Sequence, residues 1–349
     1  MYLHGIASTF PTYEYSQQEC WEHLRDSPVA GALRSRSMTL LEKVLLGNSG
    51  IEKRHFCIAE PMEIFKKSAS ELNQDFEEDA AMLGGTALET ALDRAEILPR
   101  EVDALFVCTC TGYLCPGVTS HVAERLGLRR DVFLQDLVGL GCGAAVPTLR
   151  SANGFLALHP DATVAVVAVE ICSAAFFVDD NPGVLISLCL FGDGASASIW
   201  RGTPPRGRVH CELSGFSTLH RPEEREKIRF VNEEGKLKNK LHKTVPELAA
   251  SAVRDMLRDY EDEQGPVEGM VLHPGGRDVL DAIEQELPGK NIFGSREVLR
   301  DYGNLSSPSV LIALEKHLDE KRGDQHLWMS SYGAGFACHG VGVQSFCNS

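Results

Sequence analysis

The sequence predicts an α/β protein with a mostly parallel sheet and two similar halves. Short apolar runs typical of buried strands alternate with segments of helical periodicity, which is the pattern of a sheet covered by helices. Val102–Thr109 is a predicted strand that is followed by a Gly-rich turn and a helix, and the predicted strand Val267–His273 is followed by the same two elements. Gly192–Trp200 and Gly333–Val343 are both strand-like runs rich in small residues. Self-similarity at this distance indicates a repeated unit rather than a short-period solenoid.

The first half is expected to alternate strands and helices in chain order. Five apolar, β-branched or small-residue runs predict strands, and two periodic segments predict helices. These are a strand at Val102–Thr109, a helix at Gly117–Leu126, a strand at Phe133–Val138, a helix at Cys142–Leu158, and strands at Thr163–Val169, Leu185–Leu190 and Ala195–Trp200.

The clearest break in the chain is Thr203–Gly207, which contains two consecutive prolines. It divides the chain into residues 1–206 and residues 207–349. Beyond it, Arg221–Lys243 is dense in charges of both signs and is interpreted as a solvated loop or β-ribbon, with contact to an anionic carrier as the alternative. Helices are expected at Val279–Leu287 and Val310–His317.

Composition excludes several classes of protein. The 349 residues include 34 Lys and Arg against 49 Asp and Glu, and the net charge of −15 disfavours nucleic acid and anionic membranes as partners. No apolar run approaches the roughly 18 residues of a membrane span, and the first residues lack a basic segment followed by an apolar one. The eleven cysteines show no paired metal-site spacing. We therefore expect a cytoplasmic protein with reduced thiols and no metal site.

Cys142 is the first candidate for chemistry. It lies among small residues in Gly139–Ala145, directly before a predicted helix. Unpaired N–H groups and the dipole at a helix amino terminus stabilise a thiolate and lower the pKa of the thiol. Pro147 is tolerated only near a helix start, so the helix is expected to begin near residues 143–144. The alternative is a buried cysteine at a strand-to-helix turn.

His273 and Asn304 are the second and third candidates. His273 ends an apolar strand and precedes a Pro-Gly-Gly turn, a place where α/β proteins often carry function. Asn304 lies in a turn before the predicted helix at Val310–His317. Each also has a purely structural interpretation, as a turn cap for His273 and as a turn or N-cap residue for Asn304.

Cysteine, histidine and asparagine make sense together in one class of reaction. A thiolate attacks a thioester while the two side-chain N–H groups hold the carbonyl oxygen on which negative charge develops. The same donors would stabilise the enolate left when a malonyl thioester loses carbon dioxide. This chemistry requires no metal and no redox cofactor.

Six segments in order along the chain resemble the type III polyketide synthases of the thiolase superfamily, related to the chalcone and alkylpyrone synthases. The likeness covers nearly the whole chain and is weakest over the first forty residues. The matching segments are Val107–Gly112 with Pro116–Gly117, Gly141–Ala144, Leu190–Ala195, His273–Gly276, Tyr302–Ser307 and Ser331–Gly335.

The resemblance implies roles for the three candidates. Cys142 accepts the starter acyl group from coenzyme A. His273 and Asn304 bind the thioester oxygen and promote decarboxylation of malonyl-CoA, and His273 also keeps the cysteine as a thiolate. Coenzyme A thioesters then serve as substrates, and no resident cofactor is needed.

The resemblance also implies a fold and an assembly. The family has a five-layered αβαβα arrangement of two similar halves and forms homodimers in which a residue here matched by Cys115 reaches toward the partner's pocket. Phe191 matches a phenylalanine that separates the coenzyme A tunnel from the acyl pocket. Ser306, beside Asn304, is counted with the substrate-binding residues.

Two departures from the plant members concern substrate binding. Those enzymes carry several basic residues for coenzyme A phosphates, whereas Leu40–Gly50 contains only Lys43, with Lys53 and Arg54 just beyond. The second gatekeeping phenylalanine falls near Asn239, a polar residue.

The starter is expected to be a medium or long fatty acyl group, giving pyrone or resorcinol-type products. The pocket positions Cys172 and Ala175 are small and leave room for a long chain, although Phe176 or Phe177 could refill it. An aryl starter is the main alternative.

Four other functions remain as alternatives. A ketoacyl synthase of the third type, acting with acyl carrier protein, would share all three residues, whereas a thiolase would need Cys338 as a second acid–base cysteine. A Cys-His-Asn hydrolase or acyltransferase usually carries a local cysteine signature that is absent here. A silent assembly subunit would not be expected to retain Cys142, His273 and Asn304.

Overall fold

The computed structural model describes residues 1–207, 209–320 and 323–347. Its strands are β1 (Tyr2–Thr9), β2 (Tyr13–Ser16), β3 (Lys53–Phe56), β4 (Ala104–Thr109), β5 (Phe133–Val138), β6 (Val164–Glu170), β7 (Gly194–Arg201), β8 (His210–His220), β9 (Ile228–Glu233), β10 (Lys236–Leu241), β11 (Gly269–Leu272), β12 (Asn291–Ile292), β13 (Gln325–Gly333) and β14 (Ala337–Phe346). Its helices are α1 (Gln17–Arg25), α2 (Pro28–Ala32), α3 (Ser35–Leu45), α4 (Ala69–Ala95), α5 (Val118–Leu126), α6 (Ala145–Leu158), α7 (Pro182–Leu190), α8 (Val245–Gln264), α9 (Arg277–Glu286), α10 (Ser295–Tyr302) and α11 (Ser309–Asp319).

The main sheet repeats one five-stranded pattern. Its order is β12-β11-β13-β14-β8-β1-β7-β6-β4-β5. In the half that begins with β1, two antiparallel pairings are followed by two parallel ones, and the half that begins with β8 has the same sequence of pairings. The two half-sheets meet where Tyr2 of β1 pairs with Glu212 of β8. The predicted α/β fold of two similar halves is therefore confirmed.

The helices complete five layers around these two half-sheets. Helices α4 and α5 cover the outer face of the first half, and α8 and α9 cover that of the second. Between the halves, α6 and α11 each contact strands of both. The αβαβα layering expected from the resemblance is thus present. The division at residues 206 and 207 lies between β7 and β8 and stays a prediction.

Two sequence-based expectations are wrong. The main sheet is not mostly parallel, because five of its nine strand pairings among the described residues are antiparallel and β7 and β14 run antiparallel to both of their neighbours. Leu185–Leu190 was expected to be a strand, but it belongs to helix α7. Asn181 caps this helix by accepting a hydrogen bond from the N–H of Gly183, and Pro182 occupies the first helical position. A short apolar run is ambiguous between a buried strand and a buried helix, and the capping residues decide here.

The other predicted elements are present with shifted ends. Helix α6 begins at Ala145, close to the start inferred from Pro147. The charged segment Arg221–Lys243 contains the β9–β10 hairpin, so the β-ribbon interpretation is confirmed. No helix in the described parts of the chain is long and apolar enough to cross a membrane.

Candidate active site

Cys142 lies in a tight turn between β5 and α6. Gly141, Cys142 and Gly143 form a single 3₁₀ turn, and the φ angle of 58° at Gly141 is one that glycine adopts without strain. The end of β13 crosses this turn closely, since a Cβ atom on Gly333 would lie 2.6 Å from the Gly143 nitrogen and 2.9 Å from the Cys142 nitrogen. Backbone from both halves therefore fixes the cysteine.

The thiol of Cys142 is buried, and its environment differs from the expectation. Ser306 Oγ donates a hydrogen bond of 3.2 Å to Cys142 Sγ. Burial raises the pKa of the Cys142 thiol to about 12, and the Ser306 hydrogen bond opposes this only in part. The predicted lowering by the helix terminus is thus outweighed by burial in the resting structure.

His273 directly follows β11 and is 1% exposed. Tyr332 orients it: the phenol donates a 2.6 Å hydrogen bond to the carbonyl oxygen of His273, and its ring meets the imidazole edge-on at 5.3 Å between centroids. Imidazole Nδ1 is buried and has no hydrogen-bond partner among the residues that the structure describes. Burial lowers the pKa of His273 to about 3, so the resting imidazole is neutral.

Asn304 connects the histidine turn to the cysteine. Its Oδ1 accepts a 2.8 Å hydrogen bond from the Ser306 N–H, and its Nδ2 donates a 3.0 Å hydrogen bond to the Gly275 carbonyl oxygen. The amide orientation is therefore fixed, with one N–H left over to donate elsewhere. Ser306 in turn contacts Cys142, so a chain of hydrogen bonds runs from the turn after His273 to the sulfur.

Two neighbouring groups were missed from the sequence. Cys110 follows β4, and its sulfur lies 3.2 Å from Ser306 Oγ. The same hydroxyl donates a hydrogen bond to the sulfur of Cys142. Glu170, fully buried at the end of β6, accepts hydrogen bonds from Ser307 Oγ at 2.5 Å and Thr111 Oγ1 at 2.8 Å. A carboxylate ending the apolar run VAVVAVE was the available signal, because buried charges need several donors.

Four of the predicted substrate-binding residues line one cavity. They share it with aromatic side chains, and the free volume is about 20 Å³, room for roughly one water molecule. The side chains of Phe176, Phe177 and Phe230 thus occupy the space that the small residues were expected to leave. The residues named here from the sequence are Phe191, Cys172, Ala175 and Ser306, and Asn239 also lines the cavity.

A larger cavity lies on the other side of Cys110 and Thr111, which line both. Its volume is about 600 Å³, within the usual range for ligand pockets. The walls combine apolar side chains with the backbone of Gly141, next to Cys142, and the cationic side chains Arg225, Arg229 and Lys236 are also present. The apolar and small residues include Leu72, Phe76, Gly141, Ala174, Phe230 and Leu237.

Cys115 and the basic residues near Ile51 lie outside both cavities. Cys115 is exposed, in the loop between β4 and α5. Lys53 is paired with Glu14 at 2.7 Å, and Arg54 is 3% exposed, which leaves Arg54 no room to meet a coenzyme A phosphate. In the described residues, no cluster of three or more His, Cys, Asp or Glu side chains is arranged to hold a metal ion.

Two family models match the chain. Residues 9–263 match "FAE1/Type III polyketide synthase-like protein", and residues 217–346 match "Chalcone and stilbene synthases, C-terminal domain". The first model alone spans more than half of the chain. Together they cover both halves of the fold.

Curated relatives and solved structures agree with these matches. The chain is 28% identical over 284 residues to 1,3,6,8-tetrahydroxynaphthalene synthase of Streptomyces coelicolor, covering 79% of this chain and 75% of the relative. It is 28% identical over 334 residues to 3,5-dihydroxyphenylacetyl-CoA synthase of Streptomyces toyocaensis, covering 90% and 82%. The crystal structure of the Streptomyces coelicolor synthase superposes with a TM-score of 0.86 at 24% identity over 100% of both chains. The chain therefore belongs to the type III polyketide synthases and is an acyltransferase of the chalcone synthase type.

Proposed function

We propose that this synthase condenses an acyl-CoA starter with malonyl-CoA by decarboxylative Claisen condensation on Cys142. The observation that carries the proposal is the hydrogen-bond chain from the Gly275 carbonyl through Asn304 and Ser306 to Cys142 Sγ. It brings a nucleophile and an amide donor together beside the turn that holds His273. Acyl transfer needs these groups in these roles.

The proposed steps balance without an added cofactor. The Cys142 thiolate attacks the starter thioester, and coenzyme A leaves as a thiol after taking a proton. Malonyl-CoA then loses carbon dioxide, and the enolate oxygen is held by His273 and the free N–H of Asn304. The enolate carbon attacks the acyl-cysteine, forms the new carbon–carbon bond and releases the Cys142 thiolate.

The thiolate is proposed to arise by proton transfer from Cys142 to His273. Each group is neutral in the resting structure because burial penalises an isolated charge. A thiolate and an imidazolium formed together would stabilise each other in the same buried space. Support comes from Nδ1 of His273, which is buried with no hydrogen-bond partner in the described part of the chain.

The proposed thiolate–imidazolium pair predicts that replacing His273 by glutamine changes how the rate of Cys142 alkylation depends on pH. Without the imidazole, the thiol follows its burial-raised pKa of about 12. The thiolate fraction at pH 7 is then tiny and rises about tenfold per pH unit. We expect iodoacetamide to modify Cys142 of the parent at a nearly constant rate between pH 7 and 9, and His273→Gln far more slowly, with a steep rise. Peptide mapping measures both rates, and equal profiles would contradict the pair.

The starter is proposed to be a medium or long fatty acyl group whose chain enters the larger cavity. Support comes from its volume of about 600 Å³ and its apolar walls, against about 20 Å³ beside Cys172 and Ala175. The small cavity, next to Ser306, is left for the reacting carbons. Each buried methylene contributes up to about 0.8 kcal/mol, so octanoyl-CoA or lauroyl-CoA should outcompete acetyl-CoA.

Two adjacent alanines give a matched test of this starter assignment. Ala174 lines the larger cavity and Ala175 the smaller one. Acetyl-, octanoyl-, lauroyl- and coumaroyl-CoA compete in one mass-spectrometric assay. Octanoyl-acyl carrier protein is added as a donor other than coenzyme A. Ala174→Leu should remove the preference for long chains, whereas Ala175→Leu should slow all starters alike. Preference of the parent for acetyl or coumaroyl would contradict the fatty acyl starter.

The protein is also proposed to form a homodimer through β5. This strand is the last in the sheet order, and Phe133, Leu134 and Val138 on it are 45%, 38% and 47% exposed. An exposed apolar edge strand pairs readily with another chain. Pairing of two β5 strands would bring the loop that carries Cys115 toward the second copy.

The dimer has a matched pair of variants. Light scattering during size-exclusion chromatography should give twice the chain mass for the parent. Leu134→Lys should shift it to a monomer, because it places a charge on the apolar edge. The control Leu158→Lys changes a leucine that is 79% exposed at the end of α6 and should stay dimeric. A monomeric parent would contradict the assembly.

A further inference from the structure

Arg54 is a buried cation held by neutral groups. It extends from β3, is 3% exposed, and has no carboxylate within ion-pairing distance in the parts of the chain that the structure describes. Its Nη1 donates hydrogen bonds of 2.8 Å to the carbonyl oxygens of Leu188 and Phe191, and its Nε donates one of 2.9 Å to Gln17 Oε1. Burying a guanidinium is costly unless its donors are used, so this arrangement points to a positional role.

The acceptors explain why a cation is tolerated there. Leu188 and Phe191 lie at the carboxyl end of α7, where the last carbonyls of a helix lack intrahelical partners and carry partial negative charge. Gln17 completes the arrangement, because its Nε2 donates a 3.0 Å hydrogen bond to the Cys189 carbonyl oxygen. Arg54 and Gln17 together therefore satisfy three carbonyls at this helix end.

The same arginine packs against the segment that carries Asn304. A Cβ atom on Gly303 would lie 2.9 Å from Arg54 Cγ and 2.7 Å from the Leu190 carbonyl oxygen. The φ angle of 74° at Gly303 also requires glycine. The arginine stem, the end of α7 and residue 303 are thus in van der Waals contact with no space between them.

Backbone hydrogen bonds join the two segments beside Arg54. The Asn304 N–H donates to the Leu190 carbonyl oxygen at 2.8 Å, and the Gly192 N–H donates to the Asn304 carbonyl oxygen at 3.1 Å. Phe191 therefore lies opposite Asn304 in a short parallel bridge. Arg54 lies at the end of this bridge. It donates hydrogen bonds to the end of α7 and packs against the segment that carries Asn304.

We propose that Arg54 and Gln17 are positioning residues that hold the Phe191 ring and the Asn304 amide at a fixed distance from each other. The inference rests on the proposed function, in which Phe191 lines the small cavity left for the reacting carbons and Asn304 holds the enolate oxygen. Neither positioning residue touches the reacting atoms. The pair instead couples the wall of the small cavity to malonyl decarboxylation, because the Phe191 ring and the Asn304 amide depend on one bridge.

The test uses Arg54→Lys and Gln17→Glu, with Arg25→Lys as control. Lysine keeps the charge but cannot reproduce the planar set of three donations made by the guanidinium. Glutamate keeps an acceptor for Arg54 Nε but removes the donor to the Cys189 carbonyl. Arg25 is an exposed arginine of α1, paired with Asp26, and its change to lysine should leave every rate unchanged.

Three measurements separate positioning from general destabilisation. Misplacement of Asn304 should lower malonyl-CoA decarboxylation by roughly tenfold to a hundredfold in Arg54→Lys. A freed Phe191 should loosen the small cavity for the reacting carbons and lower the number of condensations per malonyl-CoA decarboxylated by about fivefold or more. Acylation of Cys142 by acetyl-CoA should change little. Gln17→Glu should show the same pattern with smaller changes, and it decides the matter if Arg54→Lys does not fold.

The opposing outcomes are distinct. A purely structural role would lower the decarboxylation, condensation and acylation rates in proportion to the folded fraction and leave their ratios unchanged, which would overturn the inference. Parent-like rates in both variants would do the same. A parent protein that neither acylates Cys142 nor decarboxylates malonyl-CoA would overturn the proposed function and this inference together.

Discussion

Cys142→Ala should abolish polyketide formation while malonyl-CoA decarboxylation continues. Condensation requires an acyl group on the sulfur, and removal of a catalytic nucleophile costs on the order of 10⁴-fold or more. Decarboxylation requires only that the enolate oxygen be held, and His273 and Asn304 remain in place. Product formation and release of carbon dioxide from labelled malonyl-CoA are measured on the same preparation.

A buried cysteine elsewhere provides the control for Cys142→Ala. Cys211→Ala removes a fully buried thiol from β8, so it carries a similar packing cost without touching the site. It should retain both activities, and intact-mass analysis after incubation with acyl-CoA should show an adduct. An adduct on Cys108, Cys110, Cys115 or Cys338 of the parent would remove Cys142 from the nucleophile role.

Asn304→Ala should lower malonyl-CoA decarboxylation by about 10²–10³-fold, the usual cost of one lost oxyanion donor. The side chain is held at both ends, with Oδ1 on the Ser306 N–H and Nδ2 on the Gly275 carbonyl oxygen. The remaining N–H is therefore aimed before substrate arrives. Alanine removes this donor and leaves the Ser306 N–H without its acceptor.

Asn304→Asp distinguishes donation from simple space filling. Aspartate keeps the acceptor for the Ser306 N–H, but it turns an oxygen toward the Gly275 carbonyl oxygen and has no N–H to offer the enolate. We expect a loss at least as large as in Asn304→Ala, although the side-chain volume is preserved. Parent-like decarboxylation in either variant, at a parent-like melting temperature, would return Asn304 to the role of a turn residue.

Much of the fold could be predicted because it depends on local patterns. The alternation of buried strands with helices, and the recurrence of this alternation after Thr203–Gly207, were enough for an α/β fold of two similar halves. The strand predicted at Leu185–Leu190 was wrong because apolar periodicity over six residues does not distinguish a strand from a helix. Asn181 and Pro182, which cap and begin the helix, were the sequence signal that indicates a helix here.

The site was predictable in its residue types but not in its electrostatics. Motif and turn positions pointed to Cys142, His273 and Asn304, and in the structure a hydrogen-bond chain runs from Cys142 through Ser306 and Asn304 to the turn that follows His273. The pKa of the thiol was expected to fall, yet burial raises it, because desolvation depends on long-range packing that no local segment reveals. The same reason hid the contact of Cys110 with Ser306, which joins residues 196 positions apart.

The duplicated strand order gives the site two copies of one structural position. His273 is the residue directly after β11, and Cys110 is the residue directly after β4, the strand that β11 repeats in the first half. Cys110 contacts Ser306, which is also hydrogen-bonded to Cys142, while His273 lies by the turn that Asn304 binds. Internal duplication thus places a thiol and an imidazole at equivalent strand ends, one next to each end of the segment from Asn304 to Ser306. A substitution at residue 110 would therefore change the surroundings of Ser306 and, through it, those of Cys142.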